Sequence, residues 1–324
     1  MQTTDKSPSP EVQFVEISAD HAGQRVENYL MFHLNGVPKS LVYRILRKGE
    51  VRVNKGRIKP EYRLQAGDIV RIPPVRQAEK AEPGKVPDAV LKQIEERIIF
   101  EDKRLLVLNK PSGLAVHGGS GLSFGVIEAL RVLRPHTKEL ELVHRLDRDT
   151  SGCLIIAKKR SALRRLHEHL REGTIDKRYL TLLKGQWHGP SRWVDAPLLK
   201  NVVKSGERMV FVDEKGKSAR TEFTPYSVAV TASLMSVKLD TGRTHQIRVH
   251  AQHLGHPIAG DEKYGDAGFN AELKKLGLKR LFLHAFSLKF SLPNPETGKD
   301  EQIYVEAPLD EALVKVLNKL GIAL

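Results

Sequence analysis

One stretch, Glu141 to Gly152 (ELVHRLDRDTSG), restricts the fold more than any other part of the chain. An apolar run reaches it from Leu140 to Val143, and a second, Cys153 to Ala157, leaves it. Between them His144, Arg145, Asp147, Arg148 and Asp149 set five ionisable side chains within six positions. Two strand-like runs around a charged turn put a loop at the end of a sheet, where functional groups gather. Thr150, Ser151 and Gly152 let the backbone fold tightly before the second strand. Folding alone does not ask for that density of charge, so the loop is expected to be catalytic.

The length, 324 residues, suits two domains or a large one with a small module. No apolar run approaches the roughly 18 residues of a membrane span. The segment MQTTDKSPSPEVQF lacks the basic and apolar regions of a secretory leader. A lone cysteine, Cys153, excludes an internal disulfide and a thiolate zinc cluster, which fits a reducing, cytoplasmic compartment. The formal net charge of +14 favours a polyanionic partner, nucleic acid first among them.

That charge is concentrated. Eleven Lys and Arg between Lys39 and Arg76 face three acids, so this segment carries +8 of the +14. Val26, Tyr29 and Leu30 make one helical face after Gly23. Pro38 suits the first turn of a second helix, with Leu41, Val42, Ile45 and Leu46 on one side and Arg44, Arg47 and Lys48 on the other. Val51 and Val53 alternate before an Asn54-Lys55-Gly56 turn, and Gly67-Asp68 leads into a strand, Ile69 to Ile72. The pieces GQRVENYL, PKSLVYRILRKGEVRVNKGRI and AGDIVRI resemble the αL-motif RNA-binding domain first seen in a small-subunit ribosomal protein. The resemblance implies that Lys39, Arg44, Arg47, Lys48 and Arg52 face RNA. A merely solvated charged face is the alternative.

Pro73 to Ile94, with four prolines among Lys, Glu and Ala, has linker composition. The expected organisation is a disordered tail over 1–15, an αL-type module over 16–76, a linker over 77–95 and a catalytic domain over 96–324. In that last part, Ile98 to Phe100, Leu105 to Leu108, Tyr179 to Leu183, Thr221 to Tyr226, Leu234 to Leu239 and Phe282 to Phe290 read as strands. Leu114 to His117 is expected to run extended. Helices are expected from a Ser123 cap to Leu133, from Ser161, from Arg243 to Leu254, and from an Asp310 cap to Gly321. Hairpin-length connections predict an α+β fold with a largely antiparallel sheet. No glycine spacing matches a nucleotide fingerprint.

Four patches carry candidate chemistry: Lys110–Gly119 (KPSGLAVHGG), His144–Gly152, DKRYLTLLKG with Tyr179, and Thr241–His256 (TGRTHQIRVHAQHLGH). A metal set drawn from His144, Asp147, Asp149 and His245, His250, His253 or His256 lacks an acidic partner at helical spacing, so no metal is expected. Ser112 and Ser151 do not sit in a nucleophile elbow. Asp147 and Asp149 alternate on an extended chain and so point to opposite sides. What remains is Asp147 held among cations, able to act as nucleophile or base if aimed and shielded. Tyr179 is placed to stack on an extruded base. On the residues alone, a structural ion pair at a sheet end explains Asp147 equally well.

HRLDRDTSG, with KPSGLAVHGG before it and KRYL and GRTHQIRVH after it, resembles the pseudouridine synthases of the large-subunit ribosomal RNA type along essentially the whole chain. The resemblance implies an α+β architecture: a small N-terminal α/β RNA-binding module, then a synthase domain with a bent, largely antiparallel mixed sheet flanked by helices. It implies isomerisation of uridine in large-subunit ribosomal RNA, free or in a ribosome precursor, by a monomer without cofactor or metal. Asp147 matches the catalytic aspartate, attacking ribose C1′ or promoting loss of the C2′ proton. Tyr179 matches the tyrosine packed on the flipped base, and Arg248 the arginine paired with the aspartate. Arg145 matches the residue filling the vacated space, Ile247 a base contact, and His144 lies in the RNA-contacting loop. A non-catalytic RNA-binding factor with the same basic surfaces is the rival.

Overall fold

The computed structural model describes residues 11–34, 37–75, 86–119, 122–137, 139–202, 208–294 and 296–324. The chain divides into two compact units, Met1–Lys85 and Val86–Leu324. In the first, strand β1 (Gln13–Glu16), helices α1 (Val26–His33) and α2 (Lys39–Arg47), and strands β2 (Arg52–Val53), β3 (Gly56–Arg57) and β4 (Ile69–Ile72) follow one another. The strands pair antiparallel in the order β1-β4-β2-β3. Asn54 and Lys55 both take positive φ (49° and 69°), the geometry that closes a two-residue hairpin between twisted strands. Val26, Leu30, Val42, Ile45, Leu46 and Val70 meet in one core, so the apolar spacing of both helices is spent inward. Lys39, Arg44, Arg47, Lys48 and Arg52 are left exposed.

In the second unit the elements are α3 (Asp88–Glu95), β5 (Ile98–Glu101), β6 (Leu105–Lys110), α4 (Val126–Leu133), β7 (Glu141–Leu142), β8 (Ser151–Ala157), α5 (Arg160–Glu172), β9 (Asp176–Lys184), β10 (Arg192–Asp195), β11 (Leu198–Val202), β12 (Arg208–Val212), β13 (Arg220–Val228), β14 (Ala232–Leu239), α6 (Gln246–His253), α7 (Ala267–Lys275), β15 (Leu283–Pro293), β16 (Asp300–Glu306) and α8 (Glu311–Lys319). One ten-stranded sheet runs β10-β13-β14-β9-β15-β8-β6-β5, with β16 on β15 and β7 on β8, and β11 and β12 form a separate hairpin. Among its described pairings only β15 with β8 is parallel, and only over His284↔Ser151 and Ala285↔Gly152. There Gly152 takes φ 103°, and a Cβ at that position would stand 2.2 Å from the Ala285 carbonyl oxygen. The sheet forks at this seam: β8 continues against β6 and β7, and β15 continues against β16. β8 is buried along its whole length, which is why its sequence is an unbroken apolar run and not an alternating one.

Several boundaries differ from those the sequence predicts. Residues 1–10 of the expected tail lie outside the described residues, but the tail stops short of 15 because Gln13–Glu16 is a strand paired with β4. Residues 76–85 of the linker also lie outside them. Its second half is helix α3: Val90, Leu91 and Ile94 recur at helical spacing behind Pro87, and Ile94 is wholly buried. Leu114–His117 is not a strand, since the Ala115 and Val116 carbonyls accept from the Val126 and Ile127 amides and so cap α4. Ser123 is not that cap; Glu128 reaches back to the Gly125 and Gly118 amides instead (2.8 and 2.9 Å).

Candidate active site

The Asp147 loop joins β7 to β8 beside the fork, and the KPSG turn after β6 holds it. Lys110 is wholly buried, and its Nζ donates to the carbonyls of Pro111 (2.9 Å), Leu114 (2.8 Å) and Arg148 (3.0 Å). Three acceptors match the three N–H groups of an ammonium. Burial nevertheless pushes this amine down to about 7, against the pull of Asp149 and Asp147. The Gly113 amide donates to the Arg148 carbonyl, Arg148 Nε returns to the Gly113 carbonyl, and Ser112 Oγ donates to the Asp149 carbonyl. The first predicted patch is thus a brace for the second.

His144, expected to contact RNA, is turned into the sheet. β7 peels away from β8 after Leu142, and His144 Nε2 accepts the Ile155 amide (3.1 Å) in place of a ladder carbonyl. Burial, reinforced by Lys177, pushes its pKa down to about 4, so it stays a neutral acceptor. Arg145, next along the loop, is exposed and lines the mouth of an open cleft of about 120 Å³.

Asp147 lines the same cleft, with Tyr179 from β9 and Gln246, Ile247 and Arg248 from α6. Tyr179, paired across to Val237 and Ala285, is buried, and burial and then Asp147 push its phenol upward so that it keeps its proton. Ile247 packs into the core and presents to the cleft. The cleft therefore brings together Asp147, Tyr179, Arg248, Arg145 and Ile247, drawn from three patches of the sequence.

Arg248 is not simply the partner of Asp147. Its Nη1 stands 3.9 Å from Asp147 Oδ2, whereas Nε and Nη2 each donate to Asp261 at 2.7 Å. Asp261 also accepts the Lys263 and Tyr264 amides, both at 2.9 Å. Burial alone would raise its carboxyl; Arg248 and those amides hold it below the usual range. Burial likewise works against the Arg248 charge, and Asp261 outweighs it, leaving the guanidinium pKa raised. Tyr264 packs its ring face on that guanidinium, 5.0 Å from Cζ to centroid.

α6 begins at Gln246 and not at Arg243, because His245 takes φ 54°, a left-handed conformation that costs a non-glycine residue roughly 1–2 kcal/mol. Gln246, almost fully buried, holds that bend: its oxygen accepts from Thr241 Oγ1 (2.8 Å) and the Arg243 amide (2.9 Å), and its nitrogen donates to the Arg220 carbonyl (3.0 Å) and Thr221 Oγ1 (2.9 Å). The bend turns the His245 ring so that Nε2 lies 3.8 Å from Asp147 Oδ2. Asp261 and Tyr264 lie just beyond the last predicted patch, in GDEKYG. The sequence signal for them is an acid and a tyrosine between Gly260, at φ 72°, and Gly265, whose Cβ would meet the Asp261 carbonyl at 2.0 Å.

Histidines of the candidate metal set have other partners: His250 has Thr221 Oγ1 and the Ala196 carbonyl, and His256 has the Lys184 carbonyl. Among the described residues no group of three His, Cys, Asp or Glu side chains is arranged to hold a metal ion. No described helix is long and apolar enough to cross a membrane.

On the first unit, four arginine side chains converge on the end of α2. Arg47 Nε donates to the Tyr43 carbonyl, Arg57 Nη2 to Lys48, Arg52 Nε to Gly49 and Arg71 Nη1 to Glu50. The basic cluster is therefore pre-ordered on backbone carbonyls, and Arg57 and Arg71 belong to it beside the residues predicted.

A sheet fork thus carries a braced aspartate loop, opposed by a helix that supplies an arginine and a strand that supplies a buried tyrosine. A family model for RNA pseudouridylate synthase matches residues 104–253, and one for the S4 domain matches residues 24–70. The chain belongs to the RNA pseudouridylate synthase family. It is 61% identical over 310 residues to ribosomal large subunit pseudouridine synthase C of Pasteurella multocida strain Pm70, covering 95% of this chain and 94% of that one. It is 57% identical over 318 residues to the protein of the same name in Escherichia coli K12, covering 97% and 98%. Among solved structures, Human RNA Pseudouridylate Synthase Domain Containing 4 superposes with a TM-score of 0.58 at 27% identity, over 73% of this chain and 97% of that chain.

Proposed function

We propose that this enzyme isomerises uridines of large-subunit ribosomal RNA to pseudouridine, with Asp147 acting on the ribose of a nucleotide flipped into the cleft. The observation that carries the reading is the carboxylate itself: about a quarter exposed, at the cleft wall, with one oxygen facing Arg248 and His245. The relatives' names supply the substrate class. Cleavage of the N1–C1′ bond and formation of C5–C1′ conserve every heavy atom, and the C5 proton is lost as N1 regains one. The rearrangement needs no redox partner. Asp147 initiates it by attack at C1′ or by promoting loss of the C2′ proton; both require an ionised carboxylate aimed at the sugar.

In this reading Tyr179 packs on the flipped base, a protonated phenol beside an apolar Ile247. Arg248 balances the charge of Asp147 without locking it, because Asp261 already takes its two best donors. Arg145, exposed at the mouth, fills the place the nucleotide leaves. Flipping costs a few kcal/mol, least in loops and loosened helices. Lys39, Arg44, Arg47, Lys48 and Arg52 contact phosphates, giving affinity that falls with salt. The enzyme works in the cytoplasm as a monomer on free RNA or a ribosome precursor.

The test is tritium release from RNA labelled at C5 of uridine, wild type against Asp147→Asn. Release by wild type with the RNA chain intact, and none by the variant, is expected. Release that survives the substitution removes Asp147 from the chemistry. Tight binding with no release by wild type on ribosomal RNA would favour a non-catalytic binding role.

A further inference from the structure

The ring of His245 is placed by Tyr264, whose own ring packs in a small core with Leu198, Val210 and Val249. Tyr264, 2% exposed, meets it edge-on at 5.5 Å between ring centroids, and the Tyr264 hydroxyl lies 2.9 Å from His245 Nδ1. That hydroxyl accepts the Val210 amide at 3.0 Å. A phenol has one proton to give, and among the described residues its acceptor is Nδ1. Nδ1 therefore accepts, and the imidazole proton resides on Nε2, the nitrogen that faces Asp147 Oδ2 at 3.8 Å. Arg248 Nη1 approaches the same oxygen at 3.9 Å. Neither Asp147 carboxylate oxygen is hydrogen-bonded among the described residues, and the nearest approaches of both His245 and Arg248 are to Oδ2 rather than Oδ1.

We propose that His245, held by Tyr264 as the Nε2–H tautomer, is a positioning residue that fixes Asp147 Oδ2 together with Arg248 and leaves Oδ1 as the oxygen that acts on the nucleotide. This rests on Asp147 being the catalytic carboxylate. Donor and acceptor stand farther apart than a formed hydrogen bond, and such contacts tighten when substrate fills a site. The left-handed backbone at His245, held by the four bonds of Gln246, has this consequence: the ring enters the cleft from the start of α6, where a regular helical turn would carry it elsewhere.

The groups facing the ring are Asp147 from the loop, Arg248 from α6, and Asp261, Lys263 and Tyr264 from the following turn. Burial lowers its pKa, Asp147 opposes that, and Arg248 and Lys263 add to it. At neutral pH the ring is a neutral donor. Protonation would bind Oδ2 as a full ion pair and demand a charge balance that Arg248 already supplies.

The experiment measures single-turnover tritium release, RNA affinity and the pH dependence of the rate for His245→Leu, His245→Gln and Tyr264→Phe, with Asp147→Asn alongside. His245→Leu is expected to slow release about a hundredfold, the cost of one aimed donor, with RNA affinity unchanged and a melting temperature a few degrees lower because the buried Tyr264 hydroxyl loses its acceptor. His245→Gln, whose amide nitrogen reaches the Nε2 position, is expected to recover most of that loss and to lack the acid limb that His245 contributes. Tyr264→Phe removes the donor to Nδ1 and should move that limb to higher pH. Equal rates for the Leu and Gln variants, or an unmoved limb in Tyr264→Phe, would overturn the proposal. If Asp147→Asn is inactive while His245→Leu keeps the wild-type rate, this inference fails alone; if Asp147→Asn is active, the reading beneath it fails.

Discussion

Asp261→Asn tests the support of the site most sharply. The Asp261 side chain is wholly buried, and Arg248 is 9% exposed. An asparagine keeps the shape, but one oxygen becomes an NH2 group. Its remaining oxygen is claimed where three donors converge on Oδ1: Arg248 Nη2 and the Lys263 and Tyr264 amides. The NH2 group must then face Arg248 Nε across 2.7 Å, donor against donor. Breaking a buried pair this way costs roughly 3–5 kcal/mol. In a unit of this size that is a fall of about 10 °C in melting temperature, read by calorimetry at neutral pH. The guanidinium also loses its competitor for Asp147, 3.9 Å away, and closes on it. Tritium release should fall with RNA affinity retained. The folded Asp261 carboxyl lies below its ordinary 3.8, so its contribution is present above that pH and is lost as pH falls through the folded value. The gap between wild type and variant should narrow in acid. A variant within about 1 kcal/mol of wild type, with full activity, would refute the reasoning, since that is the scale of an exposed pair.

Replacing Arg44, Arg47 and Lys48 with glutamate should weaken RNA binding and flatten the slope of log affinity against log salt by roughly 0.7–0.9 for each phosphate no longer neutralised; filter binding across a salt series checks this, and an unchanged slope removes α2 from the RNA face. Tyr179→Phe should slow turnover more than it weakens binding, measured as kcat against Kd; equal losses would make the ring purely structural. Glu101, bonded by Arg134 and Lys158, has a carboxyl lowered to about 2. Its stabilisation is present above its ordinary 4.5 and is lost as pH falls toward 2. With solvent screening of this partly open site allowed for, urea midpoints should show Glu101→Gln on the order of 2 kcal/mol less stable at neutral pH, the difference vanishing in strong acid.

What can be read from residues alone follows a physical divide. The unbroken apolar run of β8 and the amphipathic spacing of α2 are local patterns with one solution each, so both elements stand out. Helix α3 does not, because Pro, Lys and Glu around it mimic a linker, and what decides it is Ile94 entering a distant core. The start of α6 falls later than its spacing predicts because a left-handed histidine leaves no mark in the sequence; only its tertiary partners hold it there. Asp147, Tyr179 and Arg248 are legible through motif resemblance and do share one cleft. His144 stands in the same motif yet serves the strand beside it. Asp261, separated from Arg248 by twelve intervening residues of helix and turn, is marked only by the glycines of GDEKYG, which signal a tight turn and not its pairing with Arg248.

The two-residue seam at Ser151 and Gly152 bears on how RNA must be handled. The carbonyl of Ala285 occupies the space a side chain on Gly152 would need, Lys110 pins the other flank of the loop, and the strand that leaves it is buried throughout. A carboxylate mounted in this way has little travel of its own. With Asp147 as the acting carboxylate, the large displacement in the encounter would fall to the polynucleotide, whose backbone would swing a uridine outward to it. Selection among uridines then becomes partly a matter of mechanics: those sites in the RNA that yield at low energy are the ones presented.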